Sequence, residues 1–458
     1  MPIQLSDKTV ALIATSLATF LTAFTGSSIN IALPSLGREL SFHAVTLTWV
    51  SMAYILSANV FLLPMGKLGD LYGRTRIFTG GTVVFSLASL GGGLAPSAGV
   101  LLACRVLQGL GGGMLFGTGV AIISEFYPPE ERGRALGINV ASTYVGLSLG
   151  PPLGGFLTQN LGWRSVFFLS VLVGLSVFVL VFWKLRRRGA PETTGRFDYR
   201  GALIWSASLV TTIYGLSRLP SLPGLVLILA GAIGFAWFFS SEGRKESPLV
   251  NPALFTRNRV FAFSSLAALL NYCATHGTGF LFSLYLQYIK GLPPKYAGLV
   301  MISQPVVMAI VSPFAGRLSD RVEPRIVATL GMVLTVAGLV ISTFLHGDSP
   351  LFHIIACLVT LGLGFAFFSS PNTNAIMSSV EKKSYGVASA MVATMRLSGQ
   401  TLSMAIVTVT FTLLLGRSAI TPDNYPQFLK SLQTILLIFS VLCAAGVFAS
   451  LIRGKVRK

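Results

Sequence analysis

Fourteen stretches of this chain are nearly free of charge, and each is about as long as one helical crossing of a bilayer requires, about 20 residues. They lie near residues 8–34, 45–66, 77–96, 99–124, 134–159, 165–184, 201–217, 223–241, 260–288, 296–316, 325–345, 351–379, 384–415 and 431–452. Such a chain folds in a membrane. Every amide must then be satisfied within its own segment, which makes the stretches helices. The residue-by-residue alternation of a membrane β-barrel is absent. Of 458 residues, 53% are hydrophobic and only 11% charged, and the mean hydropathy is +0.73. The first stretch is too long for a signal segment and thirteen more follow it, so it is expected to be retained.

The formal charge of +19 would suggest a nucleic-acid partner in a soluble protein. Placement decides otherwise. With the N-terminus inside, the outer loops hold only Arg38, Arg164, Arg218, Lys290, Lys295, Arg417 and Lys430 of the 34 lysines and arginines, while Arg105 and Arg396 fall within spans. That asymmetry puts both termini on the cytoplasmic side of a multi-pass cell-membrane protein. No nucleic acid is expected as a partner. The clusters Lys184, Arg186, Arg187, Arg188 and Arg453, Lys455, Arg457, Lys458 are then expected to meet anionic headgroups of the lipid bilayer. Cys104, Cys273, Cys357 and Cys443 all sit in spans and read as apolar packing residues, not as disulfides or metal ligands.

The chain is built twice. GKLGDLYGRTR at 66–76 returns as GRLSDRVEPR at 316–325, with Leu68 and Asp70 matched by Leu318 and Asp320. Residues 8–184 supply six helices and residues 260–452 six more. Two inserted helices lie in the linker 185–259. Two like-oriented halves around a central site near the bilayer midplane is a transporter design.

GKLGDLYGRTR resembles the loop between helices 2 and 3 of the major facilitator superfamily. RVLQGLGGG at 105–113 is similar to that family's helix-4 motif, and GLSLGPPLGG at 146–155 to the helix-5 motif of its exporters. Fourteen spans, FDYRGA after helix 6 and SSPNTNAIM in helix 12 resemble the fourteen-helix drug:proton antiporter branch. The resemblance implies export of small molecules, with the proton as coupling ion, by rocking two halves. The chain is expected to act as a monomer with no cofactor.

In the helix 2–3 loop, Gly66 and Gly73 permit a tight turn, and Asp70 sits among Lys67, Arg74 and Arg76. The resemblance implies that Asp70 latches the cytoplasmic gate against the start of helix 13, near Ser384. Asp320 would make a weaker counterpart near helix 5, because Glu323 and Pro324 stand where a glycine and a basic residue are expected. Arg105 is a charge inside the membrane, so it must face a cavity or a partner, and Gln108 shares its helix face. Gly146, Gly150, Pro151, Gly154 and Gly155 give helix 5 a flat, bent surface, expected to pack on the other half and to act as a pivot. No strand precedes the GLGGG stretch and no G-x-x-x-x-G-K-[ST] occurs, which argues against a nucleotide loop.

AFTGSSINIALPSL at 23–36 departs from the antiporter pattern: where that pattern carries an acid, this chain has Thr25. No aspartate or glutamate lies in any span away from its edges. His276, with Tyr272 one turn before it, could exchange a proton in its place. Arg396, with Gln400 one turn on, could hold an anionic group. Ser27, Ser28, Asn30, Asn139, Thr143, Asn271, Asn372 and Asn374 are on helices that line the cavity in this family, or else hold helices together. The alternative reading is an exporter or facilitator of a specific metabolite, with anions among the candidates, that is uncoupled from protons or coupled differently.

Overall fold

The computed structural model describes residues 6–185, 197–245, 248–250, 252–380, 385–416 and 418–454. Helices occupy every one of the fourteen apolar windows. In chain order they are α1 (Asp7–Glu39), α2 (Ala44–Tyr72), α3 (Arg74–Gly93), α4 (Ala98–Phe126), α5 (Pro129–Leu161) and α6 (Arg164–Lys184). A hairpin of α7 (Tyr199–Ser217) and α8 (Leu222–Glu242) follows, then the short α9 (Ala253–Arg257). The rest is α10 (Arg259–Leu284), running into a π turn at Tyr285–Ile289, then α11 (Pro294–Met301), α12 (Ser303–Arg321), α13 (Pro324–Thr343), α14 (Leu351–Ser378), α15 (Tyr385–Leu414) and α16 (Tyr425–Ile452).

Among the described residues ten units are long and apolar enough to cross a membrane: α1, α2, α4, α6, α8, α11 with α12, α13, α14, α15 and α16. The other four, α3, α5, α7 and α10, carry the glycines, hydroxyls and amides that the packing uses. Polar caps set several helix starts. Ser6, Asp198, Ser221 and Asn258 each accept an amide three residues on, at Thr9, Gly201, Gly224 and Phe261.

Two sets of helices result. In the first, α1 lies along α5 and α6, α2 on α4, and α3 on α4 and α6; in the second, α10 lies on α15 and α16, and α14 on α12 and α13. Within the first set the glycines of α4 let backbones approach. A methyl at Gly111 would come 2.8 Å from the Gly81 carbonyl oxygen, and one at Gly113 2.9 Å from that of Ala58. The large apolar side chains left exposed, such as Leu172, Trp183 and Phe352, form the outer surface suited to lipid.

Salt bridges and hydrogen bonds define two ends. Lys8 pairs with Glu131 (3.1 Å) and Arg74 with Glu125 (3.8 Å) in the first set, and Arg325 donates to the Leu451 carbonyl (3.3 Å) and Arg453 to Ser264 (3.2 Å) in the second. The opposite ends of α1 and α10 meet at Asn30 and Ser283, so the start of α1 and the end of α16 share one end, the terminal face. At the far face Glu39 accepts from Trp163 (2.8 Å) and pairs with Arg164.

Candidate functional site

The α2–α3 junction is tighter than its glycines suggest. Residues 66–72 are helical, so Gly66 lies within α2, where a methyl would stand 3.3 Å from the Gly117 carbonyl oxygen of α4. The turn rests on Gly73 alone, whose φ of 102° only glycine adopts readily. Asp70 accepts from Arg74 Nε at 2.9 Å, and Arg74 also faces Glu125. Ser384, the expected latch partner, lies outside the described residues. In the second copy Gly316 is likewise helical, and Val322 and Glu323 make the turn into Pro324. There Asn374 donates to Asp320 (3.3 Å) and Ser319 (3.2 Å), which puts Asn374 at the terminal face beside the loop.

Helix α5 faces two ways. Gly146, Gly150 and Gly154 press on α1 of their own set: a methyl at Gly146 would be 2.6 Å from the Phe20 carbonyl oxygen, and at Gly154 2.7 Å from Ser28 Cβ. That differs from the expected packing on the other half. At the motif's far end Pro151, Pro152 and Gly155 meet the second set, where Gly155 abuts Pro294 and the two prolines abut Gly298. The contact is at the far face. Other bonds between the sets gather there too: Ser283 to the Asn30 carbonyl (2.6 Å), Gln287 to that of Ile31 (3.0 Å), Thr408 to Thr48 (2.7 Å) and Ala44 to Ser418 (2.9 Å). Asn59 and Ser398 meet midway (3.2 Å). Towards the terminal face α5 is open: Ile138 and Val140 are 43% and 51% exposed, and Gly133 and Gly137 have no atom within reach of an added methyl.

Arg105 is buried inside the first set and fully engaged. Its Nε donates to the Val50 carbonyl (2.8 Å), Nη1 to Gln108 Oε1, and its guanidinium lies 4.5 Å from the Tyr54 ring centre. Gln108 in turn donates to Ser89 at 2.8 Å. Hydrogen bonds to a charged group contribute about 1.5–3 kcal/mol each, enough to offset the intramembrane charge, about 2.5–3.5 kcal/mol on insertion scales.

Arg396 is different. It is half-buried on α15, its guanidinium stands 5.3 Å from the Phe116 ring centre on α4, and among the described residues it makes no hydrogen bond. This ring and cation meet across the two sets. Tyr144 of α5 lies within electrostatic reach of Tyr272 and Arg396 and near Ser312 and Ser369, while Tyr54 also senses Arg396. Tyr272 packs edge-on against Phe365, 5.5 Å between centres. His276 is half-buried one turn beyond Tyr272, with no hydrogen-bond partner among the described residues, and Gln400 is half-buried one turn beyond Arg396. Thr143, next to Tyr144, is half-buried as well.

The remaining candidates lie elsewhere. Thr25 bonds Ser170 of α6 (3.1 Å), Ser28 the Phe24 carbonyl (2.7 Å), and Asn139 donates to Thr19 (3.0 Å), all within the first set. Ser27 Oγ bonds the Ala23 carbonyl (3.0 Å), and Asn30 accepts from Ser51 (3.0 Å). Asn271 is fully buried on α10, with its amide unpaired. Asn372 donates to the Ser264 carbonyl (3.1 Å) and accepts from Arg453 (2.7 Å). Arg453 thereby corrects a headgroup assignment: α16 ends at Ile452, the chain turns at Gly454, and the Arg453 side chain is fully buried. The other members of the two clusters at 186–188, 455, 457 and 458 lie outside the described residues.

Sequence reasoning also missed a cluster that fastens the inserted hairpin. Lys245 Nζ lies 2.5 Å from both Asp198 and the buried Glu242, whose other oxygen accepts the Val250 amide (3.2 Å). Partial burial alone would raise the Asp198 carboxyl, but the Lys245 ammonium and the Gly201 amide hold it below the usual range; the same two carboxylates hold Lys245 above its own against burial. The aspartate of FDYRGA, capping α7, was the available signal.

Comparison with known proteins matches these features to a family. The profile of the Major Facilitator Superfamily matches residues 15–404 and 264–457. A riboflavin transporter, RibZ of Clostridioides difficile, is 30% identical over 436 residues, 95% of this chain and 93% of its own. The multidrug resistance protein Stp of Mycobacterium tuberculosis is 31% identical over 404 residues, 87% and 74% of the two chains. Among solved structures, a bacterial homologue of the human lysosomal transporter Spinster, inward-facing and unoccupied, has a TM-score of 0.69 at 16% identity, covering 97% of this chain and 96% of its own.

Proposed function

The chain belongs to the major facilitator superfamily, and on that premise we propose that this transporter exports small hydrophobic molecules by alternating access, coupled to protons. The carrying observation is the Arg396–Phe116 contact between two helix sets that bond to each other at the far face, while α5 is exposed toward the terminal face. A cargo molecule enters that opening, and rocking about the α5–α11 and α2–α15 contacts turns it to the other side. Relatives named as export proteins, one for tetracenomycin C from Streptomyces glaucescens and one for cephamycin from Amycolatopsis lactamdurans, support the direction.

The terminal face is the cytoplasmic one in this reading, because the arginine-rich α2–α3 and α12–α13 junctions lie there. Residues 8–184 and 260–452 are the two rocking halves, with 185–259 as the insert. α3, α5, α7 and α10 complete fourteen crossings: each packs along a neighbour that is apolar enough to span. Asp70 and Arg74 latch the cytoplasmic side when it closes. His276 takes the proton that a carboxylate carries elsewhere, since it is mid-span, half-buried and uncommitted.

Purified protein in proteoliposomes tests this with cationic, neutral and anionic aromatic compounds under an imposed pH gradient. Gradient-driven, protein-dependent movement that His276→Ala loses is the expected result. If no compound responds to the gradient while the protein is folded, proton-coupled export is wrong.

A further inference from the structure

Resting on the exporter reading, we propose that the cargo is a planar aromatic anion held by Arg396, and that the membrane potential itself drives its export. Two guanidinium groups lie in the spans, and no carboxylate lies there away from the edges. Arg105 is spoken for by Val50, Gln108 and the Tyr54 face. Arg396 is not: one face of its fork lies over Phe116, and its donors have no acceptor among the described residues. A half-buried guanidinium whose donors meet no acceptor among the described residues is completed best by a carboxylate or a similar planar oxyanion, which can accept two parallel hydrogen bonds.

The surroundings fit the rest of such a ligand. Phe116 of α4 lies against the Arg396 guanidinium, Tyr144 of α5 is within electrostatic reach of Arg396 and Tyr272, and Tyr272 of α10 packs edge-on against Phe365 of α14, so aromatic groups from four helices neighbour the cation. Rings pack with offset or edge geometry on a flat ligand, and the tyrosine hydroxyls add donors for its oxygens. A cationic cargo would meet Arg396 with nothing to neutralise it.

The energetics follow. Across an inside-negative membrane, an anion leaving the cytoplasm moves down the potential, and 100 mV corresponds to about a fifty-fold concentration ratio for one charge. An exporter of such a cargo works without the mid-span acid replaced here by Thr25. Any proton taken by His276 adds the pH gradient to that drive.

Three tritiated probes sharing one ring system read this out: naphthalene-2-carboxylate, its amide, and 2-naphthylmethylammonium. Proteoliposomes with equal pH on both sides receive a lumen-positive potential from a potassium gradient and valinomycin. The expected result is protein-dependent carboxylate uptake that rises at least tenfold with the potential. The carboxylate-to-amide ratio should fall at least tenfold in Arg396→Gln and less in Arg396→Lys, which keeps the charge but loses the fork. If the ammonium or amide is carried and the carboxylate is not, the charge assignment is wrong and the exporter reading stands. If Arg396→Gln folds and leaves the ratio unchanged, Arg396 is not the anion site. If none of the probes nor the wider compound set is carried, the exporter reading itself fails.

Discussion

Adding one methyl group at the α5–α11 contact should tip the protein out of the conformation described above. Gly155 and Gly298 are the residues that let the two sets touch at the far face. A methyl at Gly155 would lie 2.9 Å from the Pro294 carbonyl carbon and 3.1 Å from Lys295 Cα; at Gly298 it would lie 2.8 Å from the Pro151 carbonyl carbon and 3.2 Å from Pro152 Cα. All four are backbone atoms that no rotamer change can move. Over-packing of this kind costs about 1–3 kcal/mol, which is roughly a five- to 150-fold change in an equilibrium constant. In the proposed reading the contact belongs to the state open at the terminal face, so Gly155→Ala or Gly298→Ala should shift the population toward the opposite state. Spin labels at Tyr72 and Leu318, both exposed at that face, would report it in a background lacking the four cysteines. Shorter label-to-label distances should gain weight. Gly137→Ala, on the same helix with open space around it, should leave the distribution alone. Coincident distributions for the parent and both contact variants, with folded protein in each, would refute the assignment of this contact as the far-side closure.

Further outcomes follow from the buried charges. Arg105→Lys cannot serve both the Val50 carbonyl and Gln108, so thermal unfolding in detergent should show a loss of about 1.5–3 kcal/mol. Arg453→Ala strands Asn372 and Ser264 and should destabilise by about 1–3 kcal/mol, whereas a tail arginine on headgroups would cost almost nothing. The insert should be pH-sensitive at both extremes. Asp198 has a depressed folded pKa, so its contribution is present above its unfolded value, about 3.9, and is lost as pH falls through the folded one. Lys245 is raised, so its contribution is present below about 10.4 and is lost as pH climbs past the folded value. Hydrogen exchange of α7 and α8, corrected for intrinsic rate, should therefore be flat between those limits and quicken outside them, and Lys245→Met should remove the alkaline arm.

The apolar windows located the helices because burial in lipid tolerates few alternatives: a run free of charge for about 20 residues has one stable conformation available. Boundaries were harder. Glycine at 66 and 316 looks like a turn former, yet in both copies the helix runs on, and Gly66 serves close packing against Gly117. The same residue type answers two physical needs, a permissive φ or a missing side chain. Of Gly66, Gly73 and Gly316, Gly73 needs the first.

Side-chain partners divide along similar lines. Arg105 and Gln108 are three residues apart on one helix, so their bond was readable from spacing. Arg396 and Phe116 sit on different helix sets, and nothing in either segment announces the other. The asparagines show why polarity alone misleads. A polar group in a span must meet water or a protein partner, and the sequence does not say which. Asn372 and Asn374, two residues apart, end up serving Arg453 and Asp320 respectively, so the polarity of SSPNTNAIM is used in holding the terminal face of the second set together. A polar residue left without a protein partner is the sharper indicator of a ligand site, and in the spans that description fits Arg396 and His276 better than any of the asparagines near the gate.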